Sequence, residues 1–362
     1  MASRADTLAR ATQLRAAFER AGAQSIETPI LQPAETLLDL YGEDIRARAY
    51  VTSDALRGEQ MLRPDFTVPV VQMHMAHGAE PARYTYAGEV FRRQEHDPAR
   101  ASEYIQVGYE VFDRANPMAA DAEVFALIAQ ALKGLNLRAA TGDIGILLAA
   151  VRGLKTTERR KAALMRHIWR PRRFRSLVDR FAGKSPAPAT RLALLEQSDP
   201  LAHCGHFIGR RSQSEIAERI TALQDDAESD PISTTEISAL ESLLSVRETA
   251  PFALARLRDI AVDLPSITQA LYHMEARLGA LDTRGVDVET LDFEASYGRT
   301  SMEYYDGFVF GFYADGRPDL PSISSGGRYD ALTRRLGKGT EIPAVGGVLR
   351  PGLMLDLEGA TP

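Results

Sequence analysis

Two alternating runs constrain this chain more than any other feature. Residues 84–91 and 104–112 both change side-chain character at period two, and a charged stretch separates them. That period fits a strand with two unlike faces; a helix would repeat its apolar positions every three to four residues. An antiparallel pair joined by a long loop is therefore expected. On the second run Gln106, Gly108 and Glu110 share one side, whereas Ile105, Val107, Tyr109 and Val111 share the other. The simplest reading is a polar row facing a pocket and an apolar row facing the core. The alternative is a polar row on a solvated sheet face.

The flanking sequence alternates short helices and strands. A helix is expected over residues 4–20, where Leu8, Leu14 and Phe18, helped by Ala11, Ala17 and Ala21, form a stripe that Gly22 can close. Residues 26–31 read as a short strand in which Pro29 suits an edge, and residues 35–41 as a helix closed at Gly42. From about residue 138 to 264 the pattern turns helical. Residues 152–180 carry eleven Lys or Arg against two acids, while residues 215–248 are acidic and include the capping-box string Ser233-Thr234-Thr235-Glu236. Beyond Ser266, a helix with Ile267, Leu271, Met274 and Leu278 on one face leads back to strands expected over 286–293, 304–313 and 344–348. The expected division is thus 1–138 and 265–362 for a two-part core, with 139–264 as a helical insertion.

Composition excludes several classes. A chain of 362 residues with 44% hydrophobic and 25% charged residues belongs with soluble globular proteins and has room for about two domains. No stretch approaches the roughly 18 apolar residues of a membrane span, and the first residues lack the apolar segment of a secretory signal, so a cytoplasmic protein without membrane contact is expected. The single cysteine, Cys204, excludes an internal disulfide and cysteine-rich metal sites. Net charge of -6 argues against a protein that coats nucleic acid. The basic run at 152–180 could touch phosphate or RNA, although a solvated helix face or a partner contact is the favoured reading, since Trp169 and Phe174 are the only aromatics in it. His74-x-x-His77 and His203-Cys204-Gly205-His206 lack a third ligand, and there is no Walker loop, G-x-G-x-x-G or G-x-S-x-G. No metal and no cofactor are assigned.

Three polar clusters could carry function. Leu62-Arg63-Pro64-Asp65-Phe66-Thr67 is either a binding turn or a helix cap with a solvated ion pair. Arg92, Gln106 and Glu110 belong to the strand pair. Glu303-Tyr304-Tyr305-Asp306-Gly307 and Ser324-Ser325-Gly326-Gly327-Arg328-Tyr329-Asp330 form the third, read as a tight backbone approach that presents Tyr329 or as an ordinary hairpin turn. Together they suit a small zwitterion: carboxylates hold an ammonium or imidazole N–H, arginine holds a carboxylate, and tyrosine hydroxyls bond ring nitrogens.

In this order the clusters resemble the class II aminoacyl-tRNA synthetases, and within them histidyl-tRNA synthetase. The strings at 62–67 and 106–112 look like that family's Leu-Arg-Pro-Glu-x-Thr and Gln-x-Gly-x-Glu, Phe91-Arg92 like its motif 2 arginine, Pro29 like its motif 1 proline, and the strings around Tyr304-Tyr305 and Gly326–Asp330 like its histidine-specific segments. The resemblance implies an α+β fold: an antiparallel sheet flanked by helices, with an inserted helical domain. The departures are specific. Thr300 stands where the synthetase's catalytic arginine would be, with Arg299 on the opposite face of a strand. Gln94 replaces the adenine-holding glutamate of motif 2, and Leu349 the acid of motif 3, where Pro351 also follows Arg350 and suits only a first helical turn. The chain stops at Pro362, so no anticodon-binding domain is expected.

A retained histidine pocket beside an altered ATP site resembles the regulatory subunits of ATP phosphoribosyltransferase. That resemblance implies a non-catalytic chain with two partners: a short-form catalytic subunit, and L-histidine as feedback ligand held by Asp65, Thr67, Arg92, Gln106, Glu110, Tyr304, Tyr305 and Tyr329. It also implies a homodimer within a hetero-oligomer. Two other readings stay open here, a divergent active synthetase and a free-standing paralogue that binds histidine or tRNA.

Overall fold

The computed structural model describes residues 2–41, 45–94, 100–202, 204–206, 208–299 and 304–359. Helix α1, Arg4–Arg20, begins where the Ser3 side chain accepts the Asp6 N–H and ends before Gly22, whose φ of 99° disfavours any residue with a Cβ. Its Ala11, Leu14 and Phe18 are buried, as the stripe predicts. The expected strand over 26–31 does not form. Strand β1 covers only Gln24–Ser25 and β2 only Leu31–Pro33. Pro29 lies between them without an N–H to give a ladder, and the segment crosses from one sheet to another.

Helices α2, Ala34–Tyr41, and α3, Ile45–Arg48, precede β3, Val51–Asp54, and β4, Gly58–Leu62. A small sheet ordered β2-β4-β3 packs Met61 against Ala34, Leu37, Ile45, Ala49 and Val68. Gly42 lies outside the described residues. Helix α4, Thr67–His77, then leads to the predicted pair, β5 at Ala82–Phe91 and β6 at Glu103–Phe112, antiparallel and in continuous register from Ala82 opposite Phe112 to Phe91 opposite Glu103.

Helix α5, Pro117–Ala131, precedes β7, Leu137–Asp143. The helical stretch comprises α6 (Ile144–Gly153), α7 (Glu158–Arg166), α8 (Pro171–Phe181), α9 (Ala189–Leu195), α10 (Gln213–Glu228) and α11 (Thr234–Leu244), then β8 (Arg247–Thr249) and α12 (Ala250–Ile260). After α13, Thr268–Thr283, come β9 (Asp292–Glu294), β10 (Phe308–Ala314), β11 (Ser324–Arg328), α14 (Asp330–Leu336), β12 (Ala344–Leu349) and α15 (Pro351–Glu358). The strand expected over 286–293 shrinks to β9 because the Asp287 side chain accepts the Glu289 N–H and the Thr290 hydroxyl, which turns the backbone.

The main sheet has nine strands in the order β1-β5-β6-β12-β11-β10-β7-β9-β8, antiparallel except at β1–β5 and β7–β9. Helices cover it, and one apolar core runs from Ala11 on α1 to Met354 on α15. The expected boundary at 138/139 falls inside β7, and β8 returns to the sheet before residue 264, so both ends of the helical stretch are stitched into the core. Among the described residues no helix is long and apolar enough to cross a membrane.

Candidate ligand-binding site

The polar row of β6 is the floor of the site. Both faces of the strand are covered, which removes the solvated-face alternative: Gln106 and Glu110 are 1% and 0% exposed, and Tyr109 on the other face is equally buried. Neighbouring strands are shaped around Glu110. On β12 its cross-strand partner is Gly346, where a Cβ would lie 1.4 Å from Glu110 Oε2. On β5 the Tyr86 ring occupies the space above Gly108, 2.1 Å from where a Cβ would sit.

Three hydroxyls converge on the Glu110 carboxyl. Tyr86 donates to Oε1 at 2.8 Å, Thr67 to the same oxygen at 3.4 Å, and Tyr329 to Oε2 at 2.5 Å. Burial pushes Glu110 up to about 7, against the lowering effect of these donors, and the nearby Asp65 carboxylate adds to the rise. Burial also raises Tyr86, Tyr305 and Tyr329 well above the usual phenol value, and Tyr304 in the same sense, so all four remain neutral donors near pH 7.

The remaining walls come from turns. Asp65 and Thr67 sit at the start of α4, where Asp65 Oδ1 accepts the Val68 N–H at 3.4 Å and Phe66 stacks on Tyr86 with centroids 4.2 Å apart. The strand expected over 304–313 begins only at Phe308 because Tyr304 to Gly307 form a loop pinned to α14. The Asp306 carboxylate accepts the N–H groups of Asp330 at 2.9 Å and Ala331 at 2.7 Å. This brings Tyr304 and Tyr305 each to 6.3 Å from Tyr329, centroid to centroid. The tight approach expected at the paired glycines is present: a Cβ on Gly327 would fall 2.6 Å from Phe308 O and 2.8 Å from the Tyr305 ring. The segment is strand β11 and a strand-to-helix joint, not a hairpin turn.

The structure therefore brings together Asp65, Thr67, Glu110, Tyr304, Tyr305 and Tyr329, and adds Tyr86. Gln106 lies four residues before Glu110 on the same face of β6, with neither amide atom hydrogen-bonded. A buried amide with both ends unpaired is costly, and a ligand with a donor and an acceptor relieves it. Arg92 donates from Nε to Pro64 O at 2.8 Å, beside Asp65, and its charge helps lower Arg350, whose first influence is burial.

The altered positions have new partners. Gln94 donates to Ala101 O at 3.0 Å. Leu349 is buried in the core, and Pro351 does fall in the first turn of α15. Arg299 turns away from the pocket: its Nε donates to Ile168 O at 2.9 Å and its guanidinium lies over Phe174. Thr300 and Glu303 lie outside the described residues, as does His203. His74 is buried against Phe112 and paired with the Tyr84 hydroxyl at 3.0 Å. Among the described residues no group of three or more His, Cys, Asp or Glu is placed to hold a metal.

Such a sheet and such a tyrosine-lined carboxylate define a class II synthetase-like core, and the sequence model of histidyl-tRNA synthetase matches residues 2–202 and 211–351. Solved structures share the fold. A protein from Bacillus halodurans described as an ATP phosphoribosyltransferase regulatory subunit/histidyl-tRNA synthetase superposes with a TM-score of 0.68 at 22% identity, over 97% of this chain and 79% of its own. Histidyl-tRNA synthetase from Nostoc sp. gives 0.63 at 18% identity, over 98% of this chain and 72% of its own. Among curated relatives, the ATP phosphoribosyltransferase regulatory subunit of Rhizobium etli is 32% identical over 93% of this chain and 94% of its own. That of Brucella anthropi is 29% identical over 92% and 93%. The chain belongs to the histidyl-tRNA synthetase-like family and, within it, to the ATP phosphoribosyltransferase regulatory subunits.

Proposed function

We propose that this chain is the non-catalytic regulatory subunit of ATP phosphoribosyltransferase in the first step of histidine biosynthesis. It acts in the cytoplasm as a homodimer within a hetero-oligomer with a short catalytic subunit. Histidine is the signal, held among Asp65, Thr67, Arg92, Gln106, Glu110, Tyr304, Tyr305 and Tyr329. The observation that carries the reading is the sealed Glu110 carboxyl beside the unpaired Gln106 amide. In that pocket an imidazole N–H finds an acceptor and tyrosine hydroxyls serve the other ring nitrogen, while the zwitterion's carboxylate faces Arg92. The positions altered from the synthetase pattern, Gln94 and Leu349, support binding without adenylation.

Regulation needs only that histidine bind one arrangement of the assembly better than another. A coupling of about 1–3 kcal/mol changes the partner's ligand affinity by about 5- to 150-fold. The test mixes this chain with the short catalytic subunit from the same source and follows phosphoribosyl-ATP formation with and without histidine. Activity that requires this chain and falls with histidine is the expected result. Activity and histidine response indifferent to this chain would overturn the proposal.

A further inference from the structure

Arg299 bonds the helical stretch at Ile168, and residues on both sides of that contact carry unpartnered polar atoms. Arg299 is 4% exposed, and no carboxylate among the described residues pairs with it. Its Nη2 has no hydrogen-bond partner, and burial lowers the guanidinium to about 10, which still leaves it charged near pH 7. A buried cation without a counter-charge is rare because desolvation goes uncompensated.

The Arg299 guanidinium itself is short of an acceptor. Its Nε is held by Ile168 O, and the residues on either side of Ile168 carry two more buried orphans, His167 Nδ1 and Trp169 Nε1. An indole N–H and a guanidinium N–H can only donate. Helix α8 starts three residues beyond Ile168, and no side chain caps its first N–H groups. His167 is held below its usual value by burial and then by Arg170, Arg173 and Arg166, so positive potential surrounds the turn on the α7 and α8 sides. The Arg299 and Trp169 orphans and the uncapped N–H groups of α8 are all donors, whereas His167 Nδ1 is a donor in only one tautomer.

We propose that the 167–170 turn, the start of α8 and Arg299 form an oxyanion site for the phosphoryl group of a small metabolite. A forked guanidinium together with an indole N–H donor suits a tetrahedral anion with several acceptor oxygens. Arg299 follows β9 in the chain and bonds Ile168 O in the helical stretch, so an occupant held by both would bridge the two parts of the chain.

The experiment uses the full chain, with inorganic phosphate as probe at constant ionic strength, read by thermal unfolding and titration calorimetry. Phosphate is expected to raise Tm and to bind with heat. Arg299→Met is expected to abolish the shift and, in phosphate-free buffer, to melt no lower than wild type, because a charge without a partner has been removed. Trp169→Phe keeps a ring and loses the N–H, so phosphate affinity should fall about 3- to 10-fold. No shift in wild type, or an equal shift in Arg299→Met, overturns the site. Should Arg299→Met fail to fold, unchanged phosphate affinity in Trp169→Phe overturns it. A short single-stranded RNA tests the other source of phosphate: RNA binding that Arg299→Met weakens while phosphate binding persists would overturn the small-metabolite assignment. Histidine is absent from every arm, so these outcomes are separate from those of the pocket.

Discussion

A carboxyl sealed from water favours the protonated form, and at Glu110 this makes stability depend on pH. Its usual value of 4.5 describes the unfolded chain, and burial moves the folded value to about 7. Between those values the folded state holds a proton that the unfolded state has released. Stability is therefore lost as pH rises from about 4.5 to about 7. Asp306, raised from 3.8 to about 7 by burial and by Asp330, contributes in the same direction. Glu110→Gln should flatten part of the fall in Tm across pH 5 to 7 in ligand-free protein, and Asp306 should supply what remains. Identical slopes by calorimetry would refute the assignment. Truncating the acceptor tests ligand binding instead: Glu110→Ala should weaken histidine binding by about 5- to 150-fold, the equivalent of about 1–3 kcal/mol. An unchanged titration would remove Glu110 from the site. At this scale the alternation made Glu110 and Gln106 legible. Tyr86 was not, because its position over Gly108 depends on cross-strand register, which one strand's pattern does not contain.

Strands β11 and β12 carry paired glycines at the centre of the sheet, and the pairing leaves no room for more. A Cβ on Gly326 would lie 2.4 Å from Gly346 O and 2.4 Å from the Phe310 ring. Backbone cannot move aside as a flexible side chain can, so Gly326→Ala should cost about 1–3 kcal/mol of unfolding free energy in urea. Gly205→Ala is the control, since nothing lies within 4 Å of a Cβ there and its backbone is not left-handed; its effect should stay within about 0.5 kcal/mol. Equal effects from the two would show that close packing is not what selects glycine on β11. Regular elements such as α1, β5 and β6 were legible because each has a face of its own and a period to reveal it. The segments at 26–31 and 286–293 depart from the strands their apolar content predicts for one reason: local chemistry, a proline in the first and an aspartate turn in the second, overrides that content.

Across the whole molecule, buried charges connect parts that the chain separates widely. Asp121 on α5 is 0% exposed and sits between two arginines. Arg328 at the end of β11 donates to Asp121 Oδ1 from Nε at 3.0 Å and Nη2 at 2.7 Å, and Arg277 on α13 reaches Oδ2 at 3.3 Å. Arg277 continues to Asp143 at the end of β7 at 2.6 Å, and Arg328 to Asp330 at 3.0 Å. None of this was legible in the sequence. Asp121 carries no mark in the sequence that pairs it with Arg277 or Arg328, and the partners of β7, β9 and β10, lie far along the chain. The network's position makes its loss felt twice. Asp121→Ala leaves two guanidinium groups buried with one acceptor fewer each, which should cost about 3–5 kcal/mol in denaturant unfolding. Arg258→Ala, which breaks the exposed pair with Glu275 at 2.7 Å, should cost less than about 1 kcal/mol. Because Arg328 immediately precedes Tyr329, Asp121→Ala should also weaken histidine binding in protein that remains folded. A stability loss no larger than that of Arg258→Ala would sink the claim that this network ties α5, α13 and β11 together, and intact histidine affinity would separate it from the pocket.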